Sequence, residues 1–369
     1  EAFKKAVSLK PNYAIAYSNM GNSLKAQGKL DVAIEAYNKA ISIRPDFADA
    51  HMNLGLTLLN SGKIKEGLDK YEWRWRTKEF LSKQRHFSQP LWDVGKSLNG
   101  KRILLWCEQG IGDTINWSSC LSHIASQAKH CILECQEKLI PLLERSFPNV
   151  QVKAVNKSLD LKRCDFDFHL PMGSLYKHFI HEIEQNNKID AYLIPDPVRV
   201  NFWKERLNSL GSGPYIGICW KSANMDKKRL PNYSTISELY PVLELPNVTY
   251  VNLQYTEFTN DLTKIKKELG LTIHNFDDLD HFNNIDDVAA LCGALDMIVS
   301  TKTTVPLISA GVGTLTKVAN WKQSPWNNIL LNPMGPMVDI FERDTKESWD
   351  KVFSTIAEDI FKITKNWSS

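Results

Sequence analysis

Three loops carry side chains with chemical capacity, and each follows directly on an apolar run. The first, Glu108-Gln109-Gly110-Ile111-Gly112-Asp113-Thr114, sets a carboxylate behind two glycines. Gly110 and Gly112 permit a sharp turn and the close approach of a ligand, and Asp113 falls in the first turn of the helix that follows. An acid at that place also serves simply as a partner for the helix dipole. In the second loop, Cys219-Trp220-Lys221-Ser222-Ala223-Asn224, Lys221 and Ser222 offer the charge and hydroxyl suited to a diphosphate, with Lys227-Lys228-Arg229 close behind. The alternative is an ordinary polar loop. The third, Ser300-Thr301-Lys302-Thr303-Thr304-Val305-Pro306, sets Lys302, Thr303 and Thr304 before a helix whose first turn accepts Pro306. Hydroxyls that only cap a helix are the plainer alternative. Two anion cradles in one half of the chain are more informative than either alone.

These loops need strands to carry them, and the texture after Gly100 provides them. Apolar runs at 103–107, 131–135, 150–155 and 166–170 alternate with helical stripes at 115–124 and 139–147. A second set begins at 215–220 and continues with strands at 248–253, 297–300 and 315–318, and helices at 286–293 and 305–310. The alternation predicts parallel sheets covered by helices, in two doubly wound domains with a cleft between them. Apolar positions from Trp349 to Ile363 predict a long closing helix. Ligands of open α/β sheets sit at the carboxyl ends of the strands, where all three loops fall.

The 369 residues, 43% hydrophobic and 24% charged, are enough for two or three domains. A net charge of +3 is too slight for an electrostatic nucleic-acid footprint, so no nucleic-acid partner is expected. The seven cysteines include no C-x-x-C and read as buried thiols of a reducing compartment, hence a cytoplasmic protein. No run reaches the roughly 18 apolar residues of a membrane span, and the start at Glu1 reads as cut from something longer. The nine histidines are dispersed; His178 and His181 lack the companions of a metal site, so no metal is expected.

The first ninety residues contain a repeat. Pro11 and Pro45 lie 34 apart, and the same offset pairs Asn19 with Asn53, Gly21 with Gly55, Leu24 with Leu58, Gly28 with Gly62 and Tyr37 with Tyr71. The period, the small residues at helix crossings, Ala33, the aromatic on the second helix and the closing Pro45 resemble the tetratricopeptide repeat, about two and a half copies over 1–76. Gly67 for Ala and Arg74 for a small residue suit a terminal repeat that caps the stack. Such a surface is expected to dock a protein partner; a bare spacer is the alternative. Residues 77–100 read as an adaptor. Eleven Trp are roughly twice the usual share; they suggest an aromatic-lined junction and cleft.

Ile103 to Ile115, Gly217-Ile-Cys-Trp-Lys-Ser222, Val251-Asn-Leu-Gln254, Asp287 to Leu291, Leu295 to Ser300 and Ser324-Pro-Trp326 together resemble bacterial repeat proteins with a glycosyltransferase domain related to the heptosyltransferases of glycosyltransferase family 9. The layout is more distantly similar to O-linked N-acetylglucosamine transferases. The resemblance implies a GT-B fold, two Rossmann-like domains, with the acceptor side at 101–194, a linker at 195–213, the donor domain at 214–345 and a terminal helix at 346–369. It implies a metal-independent, inverting hexosyl or heptosyl transfer, with a nucleotide sugar as donor substrate, no cofactor, and a protein or glycan as acceptor. Asp113 matches the acid proposed as general base. Gly112, Lys221, Ser222, Thr303 and Thr304 fall in the donor phosphate loops, where Lys302 would bind phosphate directly, and Gln254 and Asp287 lie at the approach to the nucleoside. Two positions depart from the family pattern: Lys302 stands for an Asp and Leu307 for a His. These departures leave open a second reading, a repeat scaffold whose GT-B unit has lost catalysis.

Overall fold

The computed structural model describes residues 2–93, 95–179, 191–227, 229–322, 337–344 and 347–367. His181, Lys228, Gln323 and the Ser324-Pro325-Trp326 motif lie outside them.

Five helices open the chain: α1 (Ala2–Leu9), α2 (Ala14–Ala26), α3 (Leu30–Ile43), α4 (Ala48–Asn60) and α5 (Ile64–Tyr71). The turns after α2 and α4 pass through Gly28 and Gly62 at φ 74° and 81°, a left-handed conformation that glycine adopts without a Cβ clash. Where the paired helices cross there is no room for a side chain. A Cβ on Gly21 would lie 2.6 Å from the Tyr37 ring, and one on Gly67 2.4 Å from Leu59. Gly67 therefore permits a closer crossing than Ala.

Sheet A contains β1 (Arg102–Trp106), β2 (His130–Cys135), β3 (Val150–Ala154) and β4 (Phe168–Pro171), all parallel, in the order β3-β2-β1-β4. The adaptor extends it through a bridge from Leu91 to His169. Arg85, buried, pairs with Glu134 at 2.5 Å and with Asp160, tying the adaptor to the sheet. Sheet B contains β5 (Tyr215–Cys219), β6 (Thr249–Asn252), β7 (Ile273–His274), β8 (Met297–Thr301), β9 (Leu315–Trp321) and β10 (Val338–Arg343). It too is parallel, in the order β10-β9-β8-β5-β6-β7. The two-residue β7 and the partly exposed β10 lack an apolar run, so neither was visible in the hydrophobic pattern. The final helix, Trp349–Trp367, packs Val352, Phe353, Ile356 and Ile360 into the core of sheet B.

One apolar core runs from the repeats, through Leu56, Leu59, Leu68 and Tyr71, into sheet A at Ile103 and Leu105, and on to Val288 and Ile308. The stack and the α/β halves are thus packed together. Among the described residues, no helix is long and apolar enough to cross a membrane. All seven cysteines are free thiols, five of them buried; Cys164 is exposed.

Candidate active site

Strand order decides where the loops meet. Sheet A winds in opposite directions from the β1/β4 boundary and sheet B from the β5/β8 boundary, so a crevice opens beyond the carboxyl ends of each pair. The Glu108–Asp113 loop leaves β1; the Ser222 and Thr303 loops leave β5 and β8. All three line one cleft of about 560 Å³ with Gly110, Gly112, Asp113, Ser222, Asn224, Arg229, Tyr233, Lys302, Thr303, Thr304 and Leu307.

Asp113 caps its own helix, Ile111–Ser118: its Oδ2 accepts the Gly110 N–H at 3.1 Å. Among the described residues Oδ1 takes no hydrogen bond. Burial raises the carboxyl above its ordinary value, and the Gly110 amide, Arg229, Lys83 and Lys302 partly offset this. Lys302 is pushed down to about 7 by burial and by Arg229, while Asp113 and Glu342 act the other way. The cleft thus holds an acid of enhanced basicity among cationic side chains.

Thr303 is buried, its Oγ1 accepting the Val305 N–H at 3.3 Å; the Ser222 hydroxyl receives the Tyr255 O–H at 2.9 Å. Gly112 supports contact between domains as well as a turn. A Cβ there would lie 3.1 Å from Leu307 Cδ1 and 3.3 Å from Thr304 Oγ1. Leu307, where the resemblance implies a His, thus approaches Gly112 closely across the cleft.

Lys221, Gln254 and Asp287 lie elsewhere. The Lys221 ammonium is 2.8 Å from Asp261 Oδ2 and faces a separate hollow between Trp220, Tyr233 and Trp349. Gln254 is fully buried: its Oε1 accepts the Trp220 and Lys221 amides at 3.1 and 3.0 Å, and its Nε2 donates to the Lys221 carbonyl at 2.8 Å. It holds the loop in shape. Asp287 receives Arg199 through two bonds, at 2.9 and 2.7 Å, and the Trp203 indole N–H at 2.7 Å, fastening the helix Pro197–Asn208 to the helix Ile285–Ala294. Both are polar residues satisfied inside the scaffold, which motif matching does not distinguish from ligand contacts.

Of the tryptophans expected at the cleft, three are buried in the core, and Trp326 lies outside the described residues. Trp106, Trp117 and Trp220 are 1–3% exposed core residues, and among the described residues lining the cleft Tyr233 is the only aromatic side chain. Trp73 lies stacked on His51, ring centroids 3.7 Å apart, with the Arg76 guanidinium 4.4 Å from its ring. His178 meets the Trp92 ring edge-on at 5.0 Å. Conversely, Glu79 and Lys83, from the adaptor, line the cleft although no local signal marks them, while Arg229 lines it from the basic run that follows the Ser222 loop.

A family model described as TPR repeat matches residues 21–62. Protein FlbA of Caulobacter vibrioides is 29% identical, the alignment covering 96% of this chain and 62% of FlbA, so the chain spans less than two thirds of that relative. Among solved structures, a glycosyl transferase family 9 protein from Veillonella parvula superposes with a TM-score of 0.50 at 13% identity, covering 71% of this chain and 92% of that one. The ADP-heptose lps heptosyltransferase II of E. coli gives 0.51 at 13% identity, over 73% of this chain and 100% of that one. The chain joins tetratricopeptide repeats to an α/β unit with the GT-B fold of these glycosyltransferases.

Proposed function

We propose that the chain transfers a sugar from a nucleoside diphosphate sugar to a hydroxyl acceptor, with inversion, while its repeats recruit an acceptor or partner protein. The observation that carries this is the position of Asp113. Its carboxylate stands on one wall of the cleft, and Arg229, Lys302, Thr303 and Thr304 contribute to the same cleft from the other domain.

In this reading Asp113 accepts the proton of the acceptor hydroxyl as its oxygen attacks the anomeric carbon. The bond from that carbon to the diphosphate oxygen breaks, and its electron pair leaves with the diphosphate. Lys302 and Arg229, with the hydroxyls of Ser222, Thr303 and Thr304, stabilise the charge on the leaving group, a task that fixed cations perform without a metal. Burial that raises Asp113 makes it the stronger base.

The test pairs binding with turnover. Nucleoside diphosphates are screened by calorimetry and nucleotide sugars by thermal shift, and Asp113→Asn is expected to lower transfer by roughly 10²–10⁴-fold with diphosphate affinity retained. Absence of diphosphate binding at millimolar ligand overturns the proposal.

One observation favours a second reading. Leu307 stands where the resemblance implies an imidazole, so close to Gly112 that a Cβ there would lie 3.1 Å away. Diphosphate binding without transfer to any acceptor would identify a scaffold that keeps the nucleotide site and has lost the chemistry.

A further inference from the structure

Arg74 stands at the end of the repeats, where a small residue is usual, and it is completely buried. Its Nη1 donates to Glu72, and its Nη2 donates to Ser174 Oγ at 2.9 Å and to Glu108 Oε1 at 3.2 Å. The guanidinium lies 4.5 Å from the Tyr71 ring centre. Glu108 also accepts the Gly173 N–H at 3.1 Å. Tyr71, the last residue of α5, accepts a hydrogen bond from Gln109 Nε2 at 2.8 Å, and Gln136 Nε2 donates to the Gln109 carbonyl at 2.9 Å.

Glu108 and Gln109 are the two residues immediately before Gly110, which receives Asp113. The loop is therefore held on the repeat side by two side chains, one bonding each residue. The side chains of Glu108 and Arg74 are both inaccessible to water, so neither charge has a solvated alternative to its partners.

We propose that Arg74 and Tyr71 are positioning residues for the transfer, the last turn of the repeat stack setting where the Glu108–Asp113 loop presents its carboxylate to the cleft. The kinetic part of this rests on the function proposed above; the mechanical part stands on the contacts alone. Neither residue touches the cleft, and each acts through the loop.

Tyr71→Phe keeps the buried ring and removes only the hydroxyl that receives Gln109. It is expected to lower kcat about tenfold, in proportion to a fractional-ångström misplacement of Asp113, with nucleoside diphosphate affinity unchanged. Arg74→Met is expected to cost more, about a hundredfold, and Arg74→Lys to recover part of the loss by restoring the charge. Hydrogen exchange is the second readout: the amides of 108–114 should exchange faster in Tyr71→Phe and Arg74→Met, while those of 219–224 stay at the wild-type rate. If Arg74→Met does not fold, Tyr71→Phe and Arg74→Lys decide. Wild-type kcat and wild-type exchange in both overturn the proposal. A wild-type protein that transfers no sugar overturns the function instead, and exchange at 108–114 then decides whether the repeats hold the loop.

Discussion

Gly112 and Leu307 meet across the cleft from opposite domains, so closely that a methyl group on Gly112 would lie 3.1 Å from Leu307 Cδ1. Gly112→Ala is expected to cost about 1 kcal/mol by overpacking. Leu307→Ala, at a site 6% exposed, is expected to cost about 2–3 kcal/mol through the space it leaves. The double variant should lose less than the sum, because the new methyl occupies part of that space. Urea denaturation of all four proteins checks this, and strict additivity would show that the pair does not interact.

Lys302 links anion binding to pH. Held down to about 7, it is partly neutral just above pH 7, and a diphosphate beside it favours the ammonium. Binding should then take up a proton, and affinity should fall as pH rises above 7, by at most about tenfold per unit. Calorimetry in buffers of different ionisation enthalpy measures the proton directly. Lys302→Met should bind more weakly and lose this uptake.

Asp287 provides a contrast between scaffold and site. Asp287→Asn keeps one oxygen for Arg199 and Trp203 but sets an NH₂ against the second Arg199 donor and removes the charge, and is expected to cost about 1–3 kcal/mol of stability. Diphosphate affinity should stay at the wild-type value. A selective loss of affinity in a stable Asp287→Asn protein would return this residue to the nucleoside.

Acid should weaken the fold through His169, which burial holds at about 4, its Nδ1 accepting the Trp106 N–H at 3.3 Å. The unfolded chain takes up the proton near 6.5, so this contribution is complete above that pH and is lost as pH falls towards 4. Glu108 runs the other way. Raised to about 7 by burial, it contributes fully below about 4.5, and the contribution is lost as pH rises through 7. Denaturation midpoints from pH 4 to 8 separate the two: His169→Phe should flatten the acid side and Glu108→Gln the neutral side.

The elements, and the loops able to act, are legible in the pattern of residues along the chain. A 34-residue period requires paired helices because each unit buries its apolar stripe only against its neighbour. Alternating apolar runs and stripes require parallel sheets, and the residues after 106, 219 and 301 are at strand ends under any register. Strands without an apolar run, β7 and β10, left no such trace.

Which polar residues face the cleft follows only from packing. Lys221, Gln254 and Asp287 stand in strings as suggestive as Ser222 or Thr303, but Asp261, the Trp220–Lys221 backbone and Arg199 satisfy them within the C-terminal half. Glu79 and Lys83 reach the cleft from a segment with no motif, Arg229 from the basic run behind the Ser222 loop, and Arg74 reaches Glu108 across 34 residues of chain. Local pattern fixes which face of an element is buried. Which buried polar group meets which partner depends on distances between elements far apart in sequence, and those exist only once the sheets, the adaptor and the repeat stack have packed.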